Sequence, residues 1–207
     1  EDAQLVLLGR NGSDYSAAIF AALYQAKELC IWTDVDGIYN ADPNCVPQAE
    51  VIETLSYREA MELSYFGAKV LHPKTIAPLS LNQIPCWIKN THAPEKPGTV
   101  ISNETSEENS IKAISNLSDV AMINVSGPGM KGMVGMASRV FAAMSRENIS
   151  MVLISQSSSE YCISFCIHTV DAFRAEQSLK QEFELELLNG LLEPIELQSN
   201  LSIVSLV

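Results

Sequence analysis

A polar, glycine-rich turn between a strand-like run and an alanine-rich helix constrains the fold of this chain most. The turn, residues 9–14 (Gly-Arg-Asn-Gly-Ser-Asp), follows the apolar residues 5–8 and precedes a helical pattern over residues 16–26. Such a turn presents backbone N–H groups at a helix N-terminus, where the helix dipole favours an anion. Ser13 and Asp14 are also favoured N-cap residues, so a simply capped helix is the alternative interpretation.

A second strand with a polar end follows shortly afterwards. Residues 30–33 have the pattern of a strand, and it leads into Thr33-Asp34-Val35-Asp36-Gly37-Ile38-Tyr39. Two successive strands that end in small polar residues predict a parallel α/β sheet with a ligand across the strand ends. Further along, residues 56–66 predict a helix that begins with a capping box of Ser56 and Glu59. A second helix is predicted from His72-Pro73, with His72 as a capping or packing residue, to about residue 81. Residues 84–89 and 99–101 predict strands.

Composition and charge exclude several classes of partner. The 207 residues carry a formal net charge of -12, which argues against a nucleic-acid partner because phosphate contacts need clustered Lys and Arg. No apolar run is long enough for a membrane span, and nothing resembles a signal peptide. The five cysteines form no C-x-x-C pair, and four of them lie in apolar strand-like runs. We therefore expect buried free thiols and a cytoplasmic protein.

The second half has a different order of elements. Residues 103–110 are polar and acidic, and we place a linker there. Strands are predicted over 111–117, 120–126, 150–155 and 161–168, with a last one near 192–197, and helices over 133–147 and 170–183. This βαββαβ order is that of a ferredoxin-like fold. The apolar run at residues 201–207 suggests that the chain is a segment of a longer protein.

Three motifs in register resemble the aspartokinases of the amino-acid kinase superfamily. They are the turn at 9–14, the segment at 33–43 (Thr-Asp-Val-Asp-Gly-Ile-Tyr-Asn-Ala-Asp-Pro) and the segment at 66–73 (Phe-Gly-Ala-Lys-Val-Leu-His-Pro). The second half resembles an aspartokinase regulatory region with an ACT domain. The similarity is greatest to the threonine-sensitive branch of enteric-type bacteria, which is fused to a homoserine dehydrogenase.

The resemblance implies a fold and a division into domains. It predicts the C-terminal, nucleotide-binding part of an amino-acid-kinase αβα sandwich over residues 1–102 and a ferredoxin-like ACT domain over 111–198. Residues 199–207 would begin a second, truncated ACT domain. Because the N-terminal catalytic segment of the family is not in this sequence, we expect no turnover from the chain by itself.

The resemblance also assigns roles in the kinase half. Ser13 and Asp14 are similar to residues that line the site for aspartate and the γ-phosphate. The residues similar to the family's nucleotide-binding positions are Thr33, Asp34, Tyr39, Asp42 and Lys69. Asn44 stands where the family usually has a basic residue. The implied reaction is attack of the aspartate β-carboxylate on Mg²⁺-ATP. No metal ligand is assigned, and NADP would belong only to a dehydrogenase domain outside this chain.

The run Gly127-Pro128-Gly129-Met130-Lys131-Gly132 is a literal G-x-G-x-x-G, the pattern of dinucleotide-binding turns. Only five residues, 156–160, separate the next two predicted strands, which is hairpin spacing and too short for a parallel crossover. We therefore reject dinucleotide binding. We expect a small amino acid, L-threonine, to bind at this turn. The alternative is a tight turn that binds no ligand. The predicted effector residues are Gly129, Met130, Gln156, Ser157 and Ser158.

The sequence leaves three hypotheses open for the function. The first is a regulated aspartate kinase that forms homo-oligomers through its ACT domains. The second is a purely regulatory module that binds an amino acid and dimerises. The third is another amino-acid kinase, such as a carbamate or glutamate kinase.

Overall fold

The computed structural model describes residues 12–65, 71–104, 111–157 and 160–207. The chain divides into two compact units. The first contains the described residues up to Asn116 together with Val204–Val207, and the second contains Leu117–Ile203. In the described ranges, none of the helices has the length and apolar character needed to span a membrane. The predicted strand at residues 5–8 lies outside the described residues.

The first unit combines three helices and four strands, among its described residues, around one core. Its elements are α1 (Gly12–Leu23), β1 (Leu29–Thr33), β2 (Thr54–Ser56), α2 (Tyr57–Tyr65), α3 (Pro73–Asn82), β3 (Cys86–Asn90) and β4 (Thr99–Ser102). The sheet order is β1-β3-β4-β2. β1 pairs with β3 and β2 with β4 in parallel, whereas β3 and β4 are antiparallel. The sheet is therefore mixed, because the loop between β3 and β4 is too short for a crossover helix.

The helix starts in this unit agree with the sequence signals in two cases out of three. The backbone N–H of Ser56 donates to Glu59 and that of Glu59 donates to the Ser56 hydroxyl, which is the predicted capping box of α2. His72 caps α3 by accepting a hydrogen bond from the backbone N–H of Lys74. Ser13 and Asp14, by contrast, lie inside the first turn of α1. They are therefore not N-cap residues, although the Asp14 carboxylate still suits the positive end of the dipole.

The second unit has the predicted βαββαβ order. Its elements are β5 (Ile114–Ser126), a 3₁₀ turn (Pro128–Met130), α4 (Met136–Arg146), β6 (Leu153–Gln156), β7 (Cys162–His168), a 3₁₀ turn (Thr169–Asp171), α5 (Ala172–Glu182), α6 (Glu184–Leu188) and β8 (Glu196–Leu206). The first three residues of β5 and the last three of β8 are counted with the first unit. The strands are ordered β6-β7-β5-β8. Val140, Met144, Phe165, Leu179 and Phe183 are among the fully buried side chains between sheet and helices.

Three predicted boundaries differ from the observed ones. β5 is one strand and not two: Asp119 adopts a left-handed conformation (φ 59°), but strand continues on both sides of it, and residues 120–126 pair with β7. The predicted helix at 170–183 continues after a break as α6. The strand predicted near 192–197 begins only at Glu196 and continues to Leu206, so residues 199–206, expected to begin a second ACT domain, lie in β8.

The cysteines are less buried than predicted. All five are free, but Cys30 and Cys45 are exposed, and only Cys86 and Cys166 are buried. Side chains alternate between the two faces of a strand. On β1 the side chain of Ile31 faces the core, so that of its neighbour Cys30 faces outwards. Burial raises the pKa of Cys86 to about 12, so this thiol stays protonated at neutral pH.

Candidate nucleotide site and effector pocket

The polar segments after β1 and β3 meet at the same end of the first sheet. Thr33 and Asn90, the last residues of these parallel strands, are paired in register. The backbone N–H of Thr91 donates to the Thr33 carbonyl at 2.8 Å. Parallel strands place their carboxyl ends at one edge, which is where open α/β sheets bind ligands. The loop that follows Thr33 therefore faces the loop that follows Asn90.

Asp36 joins these two loops. Its carboxylate accepts hydrogen bonds from the Asn90 side-chain amide and from the Lys96 ammonium, each at 2.6 Å. The bonds from Lys96 and Asn90 hold the pKa of Asp36 below its ordinary value. No sequence motif marks Asn90 or Lys96 as part of the site. Asn90 ends β3 and Lys96 lies in the loop that follows it. Their proximity to Asp36 depends on the parallel pairing of β3 with β1, which the sequence does not reveal.

A buried threonine fixes the conformation of the Asp36–Ile38 turn. The Thr99 hydroxyl accepts from the backbone N–H of Ile38 at 2.8 Å and donates to the Ile52 carbonyl at 2.7 Å. Gly37 has a φ of 156°, and a Cβ there would lie 2.6 Å from the Thr99 hydroxyl oxygen. Only glycine lets the chain pass this close to Thr99.

The other predicted residues of this segment make local contacts. The Thr33 hydroxyl donates to the Asp34 carboxylate at 3.1 Å. Tyr39 forms an isolated antiparallel bridge with Val51. One carboxylate oxygen of Asp42 accepts from both the backbone and the side-chain nitrogen of Asn44, each at 2.9 Å. Asn44 therefore closes an Asx-type turn on Asp42, at the position where the resemblance led us to expect a basic residue.

Ser13 and Asp14 adjoin each other in the first turn of α1. The Ser13 hydroxyl donates to the Asp14 carboxylate at 3.3 Å, and Ser13 is exposed. Lys69 and Ser158 lie outside the described residues. The structure thus brings the segment containing Thr33, Asp34 and Tyr39 against the Asn90–Lys96 loop.

The second unit contains a cavity of about 260 Å³ beside the G-x-G-x-x-G turn. Among the residues that the structure describes, its polar lining side chains are Gln156 at the end of β6 and Glu160 shortly before β7. The apolar lining consists of Met130, Met133, Val134, Met136, Ala137 and Ile163. Met130 and Gln156, two of the predicted effector residues, therefore share one cavity. Ser157 instead closes the hairpin, because its hydroxyl accepts from the backbone N–H of Cys162.

The glycines of the G-x-G-x-x-G turn have two different environments. A Cβ on Gly127 or Gly129 would lie 2.6 Å or 2.8 Å from the Leu191 carbonyl oxygen. Gly129 also donates its backbone N–H to that carbonyl at 2.7 Å. A Cβ on Gly132 would meet nothing within 4 Å, and this residue lines the cavity. The backbone of Leu191 therefore packs directly against the first two glycines, where a side chain would not fit.

The strand arrangement agrees with the rejection of a dinucleotide site. β6 and β7 are antiparallel, with Gln156 opposite Ile163, so they form the expected hairpin. Among the residues with described positions, no group of three or more His, Cys, Asp or Glu side chains is placed to hold a metal ion.

Comparisons with known proteins match both units. Residues 1–90 match the amino acid kinase family, and residues 123–183 match the ACT domain. A bifunctional aspartokinase/homoserine dehydrogenase of Haemophilus influenzae is 60% identical over 100% of this chain, which spans 26% of that relative.

Two solved structures of Escherichia coli aspartokinase III also resemble the chain. One is the complex with aspartate and ADP (R-state), with a TM-score of 0.80 and 32% identity. The other is the complex with lysine and aspartate (T-state), with a TM-score of 0.75 and 33% identity. Each match covers 98% of this chain and 44% of the other. With both segments matched in order, this chain belongs to the aspartokinase family, as an amino-acid-kinase segment followed by an ACT domain.

Proposed function

We propose that the protein containing this chain is an aspartate kinase that transfers the γ-phosphoryl group of ATP to the β-carboxylate of L-aspartate and forms 4-phospho-L-aspartate. The observation that supports it most is the pairing of Thr33 with Asn90, which gathers the polar loops at one sheet edge. A related aspartokinase of known structure holds aspartate and ADP. Because the chain spans only 26% of the Haemophilus relative, the activity is proposed for the whole protein.

Phosphoryl transfer depends on position and on neutralised charge. In this proposal Asp14 orients the cations that contact the γ-phosphate, and Lys69 contacts the ATP phosphates. Thr33, Asp34 and Tyr39 contact the nucleoside, with Asp42 at the end of the same loop. Mg²⁺ enters with ATP, since this ion is commonly held by substrate phosphates and one or two carboxylates.

The test is a kinase assay on the full-length protein with Mg²⁺-ATP. We expect L-aspartate, but not L-glutamate or carbamate, to support ADP release and an acyl phosphate that hydroxylamine traps. Turnover with L-glutamate or carbamate alone would favour another amino-acid kinase. A folded protein that turns over none of the three would favour the purely regulatory module.

We further propose that L-threonine binds in the 260 Å³ cavity and inhibits the kinase. A carboxylate at the cavity would meet backbone N–H groups near the start of α4, and Gln156 offers an amide to the polar side chain. Gln156→Ala should weaken threonine binding about tenfold, as expected for the loss of one hydrogen bond to the ligand. Calorimetry measures this, with Ser155→Ala on the same strand as the control. Undiminished binding to Gln156→Ala would remove Gln156 from the site.

The second unit also supports a proposed homo-oligomer. β6 is an edge strand, and all four of its residues are exposed, including Leu153 and Ile154. An exposed apolar edge is usually covered by pairing, most often in a symmetric dimer. Light scattering at about ten micromolar or more should give at least twice the monomer mass; a monomer would contradict the proposal. A fused homoserine dehydrogenase that uses NADP, and a cytoplasmic location, complete the proposed function of the whole protein.

A further inference from the structure

Residues 33–39, hereafter the nucleoside loop, contain three of the residues that we propose contact the nucleoside. The loop leaves β1 at Thr33 and ends at Tyr39, which forms the isolated bridge with Val51. Residues 34–38 between these two points form neither helix nor strand. Loops that bind ligands are usually positioned by the scaffold around them. The conformation of the nucleoside loop therefore depends on contacts with other parts of the first unit.

Asp36 supplies the most direct of these contacts. One of its carboxylate oxygens accepts from the Asn90 amide and the other from the Lys96 ammonium, and these donors lie 54 and 60 residues further along the chain. Hydrogen bonds that involve a charged group are shorter than neutral ones and about twice as strong. A single side chain thus joins the nucleoside loop to the loop that follows β3.

The charges of this junction are compatible with one another at neutral pH. The lowered pKa of Asp36 keeps its carboxylate ionised. The hydrogen bond to Asp36 raises the pKa of Lys96, and the neighbouring Tyr39 adds to the rise, so Lys96 keeps its positive charge. Tyr39, at the far end of the nucleoside loop, is therefore close enough to Lys96 to share its electrostatic environment.

The residues directly after Asp36 are held from β4. Gly37 passes close to the Thr99 hydroxyl, which accepts from the backbone N–H of Ile38. This second attachment is buried and does not involve Asp36. Removal of the Asp36 carboxylate should therefore loosen the nucleoside loop without unfolding the sheet beneath it.

We propose that Asp36 is a positioning residue for the nucleotide: by binding Asn90 and Lys96 it holds the nucleoside loop in the conformation that receives the nucleoside part of ATP. The inference rests on the proposed function and adds the residue that positions the nucleoside contacts. Asp36 acts through the loop, because its two carboxylate oxygens already accept these bonds. A loop fixed beforehand loses less freedom when the ligand binds, which raises the affinity without a new contact.

The experiment compares three ligands in the full-length protein with and without Asp36→Ala. Calorimetry measures the binding of AMP, of ADP with Mg²⁺ and of inorganic tripolyphosphate. We expect AMP and ADP to bind about tenfold more weakly, as for the loss of a charged hydrogen bond, and tripolyphosphate to bind as in the wild type. In steady-state kinetics the KM for ATP should rise by the same factor with kcat nearly unchanged, the signature of binding lost equally from ground state and transition state.

Further variants test the two bonds separately. Lys96→Met removes only an ion pair whose lysine is half-exposed, and it should weaken AMP binding about two- to fivefold. Asn90→Asp places a second carboxylate against Asp36 and should weaken AMP binding by about as much as Asp36→Ala. Combining Asn90→Asp with Asp36→Asn exchanges the two groups and should recover most of the affinity, because the pair acts as a unit. Glu62→Ala, at an exposed position of α2, is the control and should change nothing.

The outcomes separate this inference from the proposed function. Wild-type affinity for AMP in Asp36→Ala would overturn the positioning role, and so would equal losses for AMP and tripolyphosphate or an exchange variant that recovers nothing. A wild type that binds AMP and ADP but does not phosphorylate L-aspartate would overturn the proposed function alone. A wild type that binds no adenine nucleotide would overturn both.

Discussion

The two units form their candidate sites from different types of side chain. In the first unit charged and polar side chains gather at a sheet edge, where Asp36 binds both Asn90 and Lys96. In the second unit the cavity is lined mainly by methionines and other apolar groups, with Gln156 and Glu160 as its polar side chains. The first arrangement suits a ligand that carries several charges, and the second suits a small ligand that is recognised by fit.

The glycines of the two units also have different structural roles. Gly37 lets a loop pass over Thr99, and Gly127 and Gly129 let a turn pass over Leu191. The first serves a loop with candidate nucleotide contacts. Gly127 and Gly129 match the sequence pattern of a dinucleotide-binding motif, but the space beside them is occupied by Leu191 of the same chain. A motif therefore identifies a site only when its surroundings leave room for the ligand.

The largest effect should come from a charge in the first unit. Asp14→Ala in the full-length protein should lower kcat by about a hundred- to a thousandfold, because in the proposed mechanism this carboxylate orients the cations that contact the transferred phosphoryl group. Steady-state kinetics with varied ATP at saturating aspartate measures it. Glu28→Ala, an exposed acidic position of the same unit, is the control. Near-normal kcat in Asp14→Ala would show that the glycine turn only begins a helix.

The stability of the second unit should be sensitive to one added methyl group. Gly127→Ala should lower the free energy of unfolding by about 3 kcal/mol, since its Cβ meets backbone atoms and φ is unfavourable. Urea unfolding of the 207-residue chain, followed by circular dichroism, measures this. Gly132→Ala has open space around its Cβ and should cost about 1 kcal/mol. Equal losses in both variants would remove the distinction between the glycines.

Removal of the motif lysine should affect binding more than turnover. Lys69→Ala should raise the KM for ATP about tenfold or more, as expected for a lost charged hydrogen bond, with a smaller change in kcat. A phosphate-binding cation also stabilises the ground state, which produces this split. The same kinetic series measures it, and Lys74→Ala, exposed beyond the motif, is the control. An unchanged KM would place Lys69 away from the phosphates.

The smallest effect concerns an ion-pair cluster in the second unit. Arg139 binds Glu182 and Glu186 and stacks its guanidinium 4.5 Å from the Phe183 ring centre. Its hydrogen bonds lower the pKa of both carboxyl groups, with Arg146 also acting on Glu182. A lowered pKa in the folded state stabilises the fold above the ordinary value of 4.5, and that stabilisation is lost as the pH falls below it.

Arg139→Met should therefore lower the Tm of the chain by a few degrees at pH 7, and the difference from the wild type should shrink towards pH 4. Differential scanning calorimetry across this range measures both values. Arg174→Met, which removes an exposed pair with Asp171 on one helix turn, should have a smaller effect. A difference independent of pH would assign the loss to packing on Phe183.

The sequence by itself determined the order of elements and several of their ends. Local signals sufficed for the capping box at Ser56 and Glu59, for the cap at His72 and for the antiparallel hairpin before Cys162, because each depends on residues close in the chain. The family motifs likewise identified the kinase segment and the ACT domain, which the comparisons confirm.

Only the tertiary structure decided which distant residues meet. Lys96 reaches Asp36, Lys112 reaches Glu59, and Leu191 fills the space beside Gly127. None of these pairs has a local periodicity or spacing that predicts it, since strand pairing and helix packing bring the partners together. The continuation of β5 past Asp119 is similar, because the cross-strand hydrogen bonds with β7 support a strand that a local turn signal would end.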